Sequence, residues 1–218
     1  MPATPRAILA CVALAATVTG CALGERPTLL DPPDTVSVAD TGNAAIDDVL
    51  ARLDSVDSGE FTASYSIETL FGSVSSTALV VVDDELGRSV TVTNDARAVR
   101  FLDDGSTQRT CDLVGSTCEQ GLNDARISDT QLPHRFYGPA FAARLRADAA
   151  RRIADPVGSS TDIAGRPAVC VDVDVSGGTK TYCALESGPL ARFVGIDVGI
   201  ELTSFAGEPD RSAFSTEG

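Results

Sequence analysis

The sequence predicts an α+β fold, a curved antiparallel sheet (half-barrel) with helices packed on one face. Three observations lead to this prediction. Most segments after residue 60 alternate apolar and polar residues, which is typical of strands with one buried face. Residues that favour turns separate these segments at short intervals. Two stretches with a helical period, 43–57 and about 139–153, stand apart from the strands, as they do in α+β domains.

The first helix is predicted from residue 43 to residue 57. Asn43 is a suitable N-cap, and acidic residues in the first turn suit the positive end of the helix dipole. Four apolar residues follow the i, i+3, i+4, i+7 spacing of a buried helix face, namely Ile46, Val49, Leu50 and Leu53. The helix is expected to end before Ser58 and Gly59.

Antiparallel strands are expected on both sides of the second helix. The predicted strands before it cover 61–71, 75–82, 88–93, 97–102 and 107–113, and those after it cover 160–163, 168–175, 179–183, 190–198 and 200–205. Pro139 fits the first turn of the second helix. The apolar side of this helix is expected to consist of Phe141, Leu145, Ala149 and Ile153.

Four cysteines in the domain, Cys111, Cys118, Cys170 and Cys183, are expected to form two structural disulfides. Three pairings are possible, and local reasoning favours pairing in sequence order. A two-residue turn at 176–177 would place Cys170 opposite Cys183 on neighbouring strands, within disulfide range. Around 111–118, a tight hairpin and an irregular closed loop both remain possible.

The N-terminus has the layout of a secretory signal peptide. A single positive charge, Arg6, precedes an uncharged and mostly apolar run that ends in small residues. The run is too short for a permanent membrane span. The segment Val18-Thr19-Gly20-Cys21 resembles the lipobox of bacterial lipoproteins, although the lipobox favours Leu where Val18 stands. An ordinary signal peptide with an incidental Cys21 is the alternative.

The lipobox resemblance implies cleavage before Cys21 and attachment of a diacylglycerol, for example with palmitate chains, to its sulfur. The chain would then be anchored by lipid to the extracytoplasmic face of the cell membrane. The expected organisation is a signal peptide at 1–20, a lipidated Cys21 with a flexible tether at 21–42, an α+β domain at 43–205 and a disordered tail at 206–218.

The composition limits the partners that the chain can bind. Its formal net charge of −14 argues against binding of nucleic acid, which depends on basic residues that face phosphates. The same charge argues against electrostatic adhesion to anionic lipid headgroups. The lipid on Cys21 is therefore expected to be what anchors the chain to the membrane. The sequence does not predict an oligomeric state.

The order of elements resembles the half-barrel lipoprotein superfamily of the LolA, LppX and LprG type. The resemblance depends on Cys21, the helix at 43–57, the opening strand Phe61-Thr-Ala-Ser-Tyr65 and the hairpin that contains 164–170 and 182–183. The hairpin segment is similar to many actinobacterial lipoproteins. The resemblance implies a lipid or another apolar ligand held between sheet and helices.

Seven aromatic residues are available to line such a cavity, Phe61, Tyr65, Phe71, Phe101 and Phe141 first among them, with Phe136 and Tyr137 nearby in sequence. Plain core packing of these aromatic residues is the alternative. The predicted function is therefore binding or carrying of a lipid or another apolar ligand. A cell-envelope protein-interaction or sensor module without a small ligand is the alternative function.

Enzymatic activity is not expected, and neither a cofactor nor a metal is predicted. His134 is the only histidine and is expected to be a surface or capping residue. Nucleophile-elbow, P-loop and dinucleotide-binding motifs are missing from the sequence. Asp172 and Asp174 share a strand face and could join a calcium site. A solvated strand face is expected instead, because no EF-hand order of ligands surrounds them. Four arginines of the second helix form a basic cluster that could meet a lipid headgroup or a partner, namely Arg144, Arg146, Arg151 and Arg152. Because Asp148 lies four residues from both Arg144 and Arg152, an ion-paired exposed helix face is expected instead.

Overall fold

The computed structural model describes residues 41–69 and 73–215. The predicted signal peptide, Cys21, nearly all of the predicted tether, Phe71 and residues 216–218 lie outside the described residues. The described part of the chain belongs to one compact unit, Val38–Gly218. Its helices are α1 (Ala44–Ser55), α2 (Asp124–Thr130) and α3 (Pro139–Ala149), and two 3₁₀ turns cover Val56–Ser58 and Arg211–Phe214.

The strands form one antiparallel sheet of eleven strands in the order β6-β5-β4-β3-β2-β1-β11-β10-β9-β8-β7. Their bounds are β1 Phe61–Thr69, β2 Val74–Asp83, β3 Gly87–Thr93, β4 Ala98–Asp103, β5 Gln108–Asp112, β6 Thr117–Gln120, β7 Val157–Ile163, β8 Arg166–Val175, β9 Gly178–Leu185, β10 Leu190–Val194 and β11 Val198–Ala206. Within the described residues the sheet is open, with β6 and β7 at its edges. The α+β class and the antiparallel sheet are confirmed.

Helix α1 forms as the sequence predicts. The Oδ1 atom of Asn43 accepts hydrogen bonds from the backbone N–H groups of Ala45 and Ile46, both at 3.1 Å. The four predicted apolar residues are all buried. This face packs over β7, β8 and β9 and against α3, which places both helices on the same side of the sheet.

The buried face of β1 shows how strand alternation builds the core. Phe61, Ala63, Tyr65 and Ile67 are buried, whereas the residues between them are half-buried or exposed. The ladder with β2 places Phe61 beside Val82, which is also buried. Burial of alternate side chains on neighbouring strands gives the sheet one apolar face, against which the helices pack.

The two disulfides form as predicted. Val175 pairs with Gly178, and Cys170 lies opposite Cys183 in the β8–β9 hairpin. The β5–β6 segment is also a hairpin, in which Cys111 lies opposite Cys118 and is bonded to it. Of the two possibilities left open for 111–118, the structure has the hairpin.

Helix α3 is shorter than predicted, and Ile153 is not on its buried side. The helix ends at Ala149, and the backbone N–H of Ile153 donates to the carbonyl of Asp174 on β8 at 2.9 Å. Because the chain leaves the helix to follow β8, the side chain of Ile153 is 71% exposed. The strand predicted at 190–198 also differs: β10 ends at Val194 and β11 begins at Val198. In the turn between them, the N–H of Gly195 donates to the carbonyl of Val198 at 3.1 Å.

The segment after Ala206 differs from the disordered tail that the sequence predicts. As far as Ser215 it folds back over β2 and β3, where Ala213 is buried and its carbonyl accepts a hydrogen bond from Ser89 Oγ at 2.7 Å. The Nε atom of Arg211 lies 2.7 Å from Asp83 Oδ2. Specific contacts with the sheet therefore order a segment whose composition alone resembles a tail.

Candidate functional site

The described aromatic residues predicted to line a ligand cavity are part of the core. Phe61, Tyr65 and Phe101 on the strands and Phe141 on α3 are all buried. Phe71 lies outside the described residues. The structure therefore places the three strand residues on the predicted face of the sheet, and Phe141 packs against Tyr182 and Phe193 of that face from α3.

The space beside β1 is filled by the segment between α2 and α3. The ring of Phe136 packs edge-on against that of Tyr65, with centroids 5.0 Å apart. The ring of Tyr137 packs against that of Phe61 at 6.3 Å. These edge-to-face pairs are the arrangement that aromatic rings favour in a packed core. Core packing, the alternative stated for these aromatic residues, describes this region.

A pocket of about 330 Å³ lies beside this core, at one end of the sheet. It lies between the end of β1, the start of α3 and the start of β11. Its lining residues are Thr69, Gln131, Leu132, Pro133, Ala140, Phe141, Arg144, Asp197 and Val198. Five of these nine are apolar, and the volume is at the lower end of the range for small-molecule sites. We refer to this set of residues as the end pocket.

An ion pair forms the polar part of the end pocket. Arg144 Nη2 on α3 lies 2.6 Å from Asp197 Oδ1 in the β10–β11 turn. Although partial burial would raise the pKa of Asp197, the hydrogen bond from Arg144 and its charge hold that pKa below the usual range. The guanidinium also lies over the ring of Phe193, 4.5 Å from its centroid. Arg144 is therefore fixed by charge on one side and by an aromatic face on the other.

One turn further along α3, Asp148 ties the helix to β9. Its carboxylate is buried and accepts hydrogen bonds from Lys180 Nζ at 2.8 and 2.9 Å and from the hydroxyl of Tyr182. Burial and the hydrogen bond to Asp148 raise the pKa of Tyr182. The predicted pairing of Asp148 with neighbouring arginines is wrong, because this face of α3 points toward the sheet.

The other three arginines, Arg146, Arg151 and Arg152, lie in different environments. Arg146 pairs with Asp54 on α1. Arg151 and Arg152 follow the end of the helix and are exposed. The four arginines therefore do not form the single ion-paired surface that the sequence predicts.

A buried phenol lies deeper in the domain. The hydroxyl of Tyr65 is buried and has no hydrogen-bond partner among the described residues. Burial, with a smaller contribution from Tyr137, raises the pKa of Tyr65, so the phenol is neutral at physiological pH. A buried donor of this kind usually has a partner in native proteins, either a protein group or an ordered water.

His134 is half-buried and is neither a fully exposed residue nor a helix cap. Its ring lies 6.2 Å from that of Phe101. Burial lowers the pKa of His134, and the charge of Arg135 lowers it further. The imidazole is therefore mainly neutral at pH 7.

Nearby, Arg88 and Arg135 both pair with Asp57, whose carboxylate is also 3.4 Å from the hydroxyl of Tyr137.

The acidic residues considered for calcium form cross-strand hydrogen bonds. Thr181 Oγ1 donates to Asp172 at 2.6 Å, and Thr179 Oγ1 donates to Asp174 at 2.5 Å. Within residues 41–69 and 73–215 there is no group of three His, Cys, Asp or Glu side chains that could hold a metal ion. In the same part of the chain, no helix combines the length and apolar character needed to cross a bilayer.

Sequence comparisons give no relatives: no protein-family model and no curated protein matches the chain. Among solved structures, the fold is similar to the MucA/MucB complex of Pseudomonas aeruginosa, with 16% identity over 78% of this chain and 60% of that chain and a TM-score of 0.49.

Two further solved structures give similar values. MucB in complex with MucA(peri) is 14% identical over 78% of this chain and 59% of that chain, with a TM-score of 0.49. MucB alone is 17% identical over 80% and 63%, with a TM-score of 0.43. The chain spans about three fifths of the length of these structures.

Proposed function

We propose that the chain is an extracytoplasmic lipoprotein that is anchored by lipid on Cys21 and binds an apolar group, such as part of an acyl chain, in the end pocket. In the half-barrel that the family resemblance implies, the curved sheet would form one wall of this pocket. The observation that carries the proposal is the pocket itself: a concave, largely apolar surface with one ion pair at its side. Ligand sites commonly combine an apolar lining with a few convergent polar groups.

The chemistry of the lining favours a chain-like apolar ligand. Leu132, Pro133, Phe141 and Val198 offer contacts to methylene groups but few hydrogen-bond partners. Burial of each methylene stabilises a complex by about 0.8 kcal/mol. The guanidinium of Arg144 could contact a carboxylate or phosphate at the polar end of such a ligand. Binding is proposed in preference to catalysis, because the pocket lining contains neither histidine nor cysteine.

A photoactivatable fatty acid, added to membranes that contain the full exported chain, tests this proposal. Cross-links mapped by tandem mass spectrometry are expected on residues 131–144 and 197–198. Ala140→Phe would fill the pocket from the half-buried side of α3. It is expected to reduce cross-linking roughly tenfold, which corresponds to a loss of about 1.4 kcal/mol in binding.

Ala147→Phe is the matched control, because Ala147 lies on the exposed side of the same helix. This variant should keep the cross-links of the unmodified chain. Cross-links that spread over the surface, or that persist at the same sites in Ala140→Phe, would contradict binding in the end pocket.

The alternative, an envelope interaction module, has one structural observation in its favour. Strand β7 is an edge of the sheet, and six of its seven residues are exposed. An edge strand can pair with an extended segment of another protein. A photoreactive residue at Ser160 would join such a partner covalently, and a defined adduct formed in cells would favour this alternative.

A further inference from the structure

Exposed apolar side chains are concentrated at one end of the sheet. Ile153 is 71% exposed, Val157 63%, Ile196 50% and Val194 48%. We call these four residues the strand-end patch. Two other exposed apolar residues lie elsewhere: Leu86, 39% exposed, is in the β2–β3 turn at the opposite end, and Val114, 71% exposed, is in the β5–β6 turn near the other edge of the sheet.

The members of the patch come from β7, β10 and the segments beside β8 and β9, and the polar residues Asp172 and Thr181 lie between Val157 and Val194 in register. Val157 begins β7, and Val194 ends β10. Ile153 is hydrogen-bonded through its N–H to Asp174, next to the last residue of β8. Ile196 in the β10–β11 turn reaches the β8–β9 turn, since its Cδ1 lies 3.1 Å from the position that a Cβ on Gly177 would occupy.

The end pocket lies at the same end of the sheet as the patch. Asp197 and Val198, which follow Ile196, line the pocket, and Thr69 lines it from the last position of β1. A surface that covered the strand-end patch would therefore also lie close to the pocket.

Exposed charges of both signs lie at both ends of the sheet. Arg151 and Arg152 directly precede Ile153 and are exposed, and neither forms an ion pair within the described residues. Asp155, which lies between Ile153 and Val157, is exposed as well, and the opposite end carries exposed Glu85 and Arg109. The two patch arginines therefore offer local contacts to phosphate groups and do not make this end basic as a whole.

The described chain also enters the domain beside the patch. Ala45 at the start of α1 lies next to Gly158, since its Cβ is 2.7 Å from the position of a Cβ on that glycine. Gly158 follows Val157 of the patch. Nineteen residues, 22–40, lie between Cys21 and Thr41, where the described residues begin.

We propose that the strand-end patch rests on the surface of the bilayer, with its Ile and Val side chains at the level of the lipid headgroups and Arg151 and Arg152 near lipid phosphates. Part of this inference rests on the proposed anchor, because the point of chain entry matters only if Cys21 carries lipid. For comparison, amphipathic helices that lie on a membrane bury their apolar face by about 5–10 Å. Energetic hot spots of protein–protein interfaces are rich in Trp and Tyr, whereas this patch consists of Ile and Val. Its composition therefore favours a lipid surface over a protein partner.

The absence of tryptophan from the chain allows a direct test. Ile196→Trp places a single fluorophore in the patch, and Leu86→Trp places one at the opposite end. Each full exported chain is reconstituted into phosphatidylcholine vesicles with or without brominated acyl chains. Ile196→Trp is expected to lose fluorescence with brominated lipids, whereas Leu86→Trp is not. No loss in Ile196→Trp, or an equal loss in both variants, would overturn the proposal.

Charge reversal in the Ile196→Trp background tests the contribution of the arginines. Arg151→Glu with Arg152→Glu is expected to weaken quenching in vesicles that contain phosphatidylglycerol. Arg109→Glu with Arg166→Glu is the control, because it changes the net charge equally at exposed positions of the opposite end. An equal effect of both pairs would contradict a specific role for the patch arginines.

The intact mass of each sample separates this inference from the proposed anchor. An acylated chain without quenching would overturn docking of the patch and leave the anchor intact. A chain that lacks the acyl mass but is still quenched when vesicles are added would support docking and contradict the anchor.

Discussion

Asp148 joins α3 to β9, and its replacement tests how strongly this buried contact stabilises the domain. The side chain of Asp148 is 7% exposed. It pairs with the ammonium group of Lys180, whose side chain is 15% exposed. In Asp148→Leu, this ammonium and the hydroxyl of Tyr182 would lose their acceptor. Loss of one partner from a buried ion pair typically costs about 3–5 kcal/mol. We expect a destabilisation of this size.

The assay is denaturation by guanidinium chloride with both disulfides intact, supported by thermal unfolding. For a domain of this size, each kcal/mol lowers the melting temperature by about 2–4 °C. The expected decrease is therefore about 6–20 °C. The dependence of the free energy of unfolding on denaturant should stay constant if the variant changes only stability.

Two variants show whether the loss comes from the unpaired groups. Asp84→Leu removes an exposed carboxylate and should change stability by no more than about 0.5 kcal/mol. Adding Lys180→Met and Tyr182→Phe to Asp148→Leu should recover most of the lost stability, because apolar replacements of buried ion pairs are often neutral. If Asp148→Leu costs less than about 1 kcal/mol, or if the triple variant is no more stable than the single one, this reasoning is wrong.

Two further predictions concern close packing and acid stability. Gly138→Ala would place a Cβ 2.3 Å from Cγ1 of Val56, and overpacking of this kind should cost about 1–3 kcal/mol in thermal unfolding, whereas Gly59→Ala, which enters open space, should cost less. Burial would raise the pKa of Asp83, but backbone hydrogen bonds and the charge of Arg211 lower it overall. Its stabilising effect is therefore present above the unfolded-state pKa of about 3.9 and is lost as pH falls through the lower folded-state value. The stability difference between the unmodified chain and Asp83→Asn should accordingly shrink in acid, and a difference that is independent of pH would refute this reasoning.

The elements that sequence reasoning predicted correctly are specified by local signals. Helix α1 has a side-chain cap at Asn43 and a regular apolar face. The β8–β9 hairpin has a turn signal at 176–177, strict alternation, and a cysteine at matching positions of both strands. In each case several short-range features agree, which is the condition under which local sequence predicts structure.

The elements that were missed depend on distant contacts. Helix α2 contains a single large apolar residue, Ile127, so no periodicity marks it, although Asn123 caps it by accepting from the N–H of Arg126 at 3.1 Å. The segment at 207–215 is held by contacts with β2 and β3, more than a hundred residues earlier. Ile153 fits a helical period but follows β8 instead.

The candidate site was predicted only in part. The inward face of the sheet was correctly located by alternation, and Phe141 does line the end pocket. The filling of the interior by Phe136 and Tyr137 could not be read from local pattern, because it depends on the path of the α2–α3 connection. The partner of Arg144 comes from the β10–β11 turn and that of Asp148 from β9. Sequence spacing on a single helix cannot reveal such partners.

The most direct test of an anchored lipoprotein is the intact mass of the full chain extracted from the membrane, measured before and after reduction. We predict a chain that begins at Cys21, carries the added mass of a diacylglycerol, and gains four hydrogens when its two disulfides are reduced. A mature chain without acyl mass, or one that begins at another residue, would contradict the proposed attachment to the membrane.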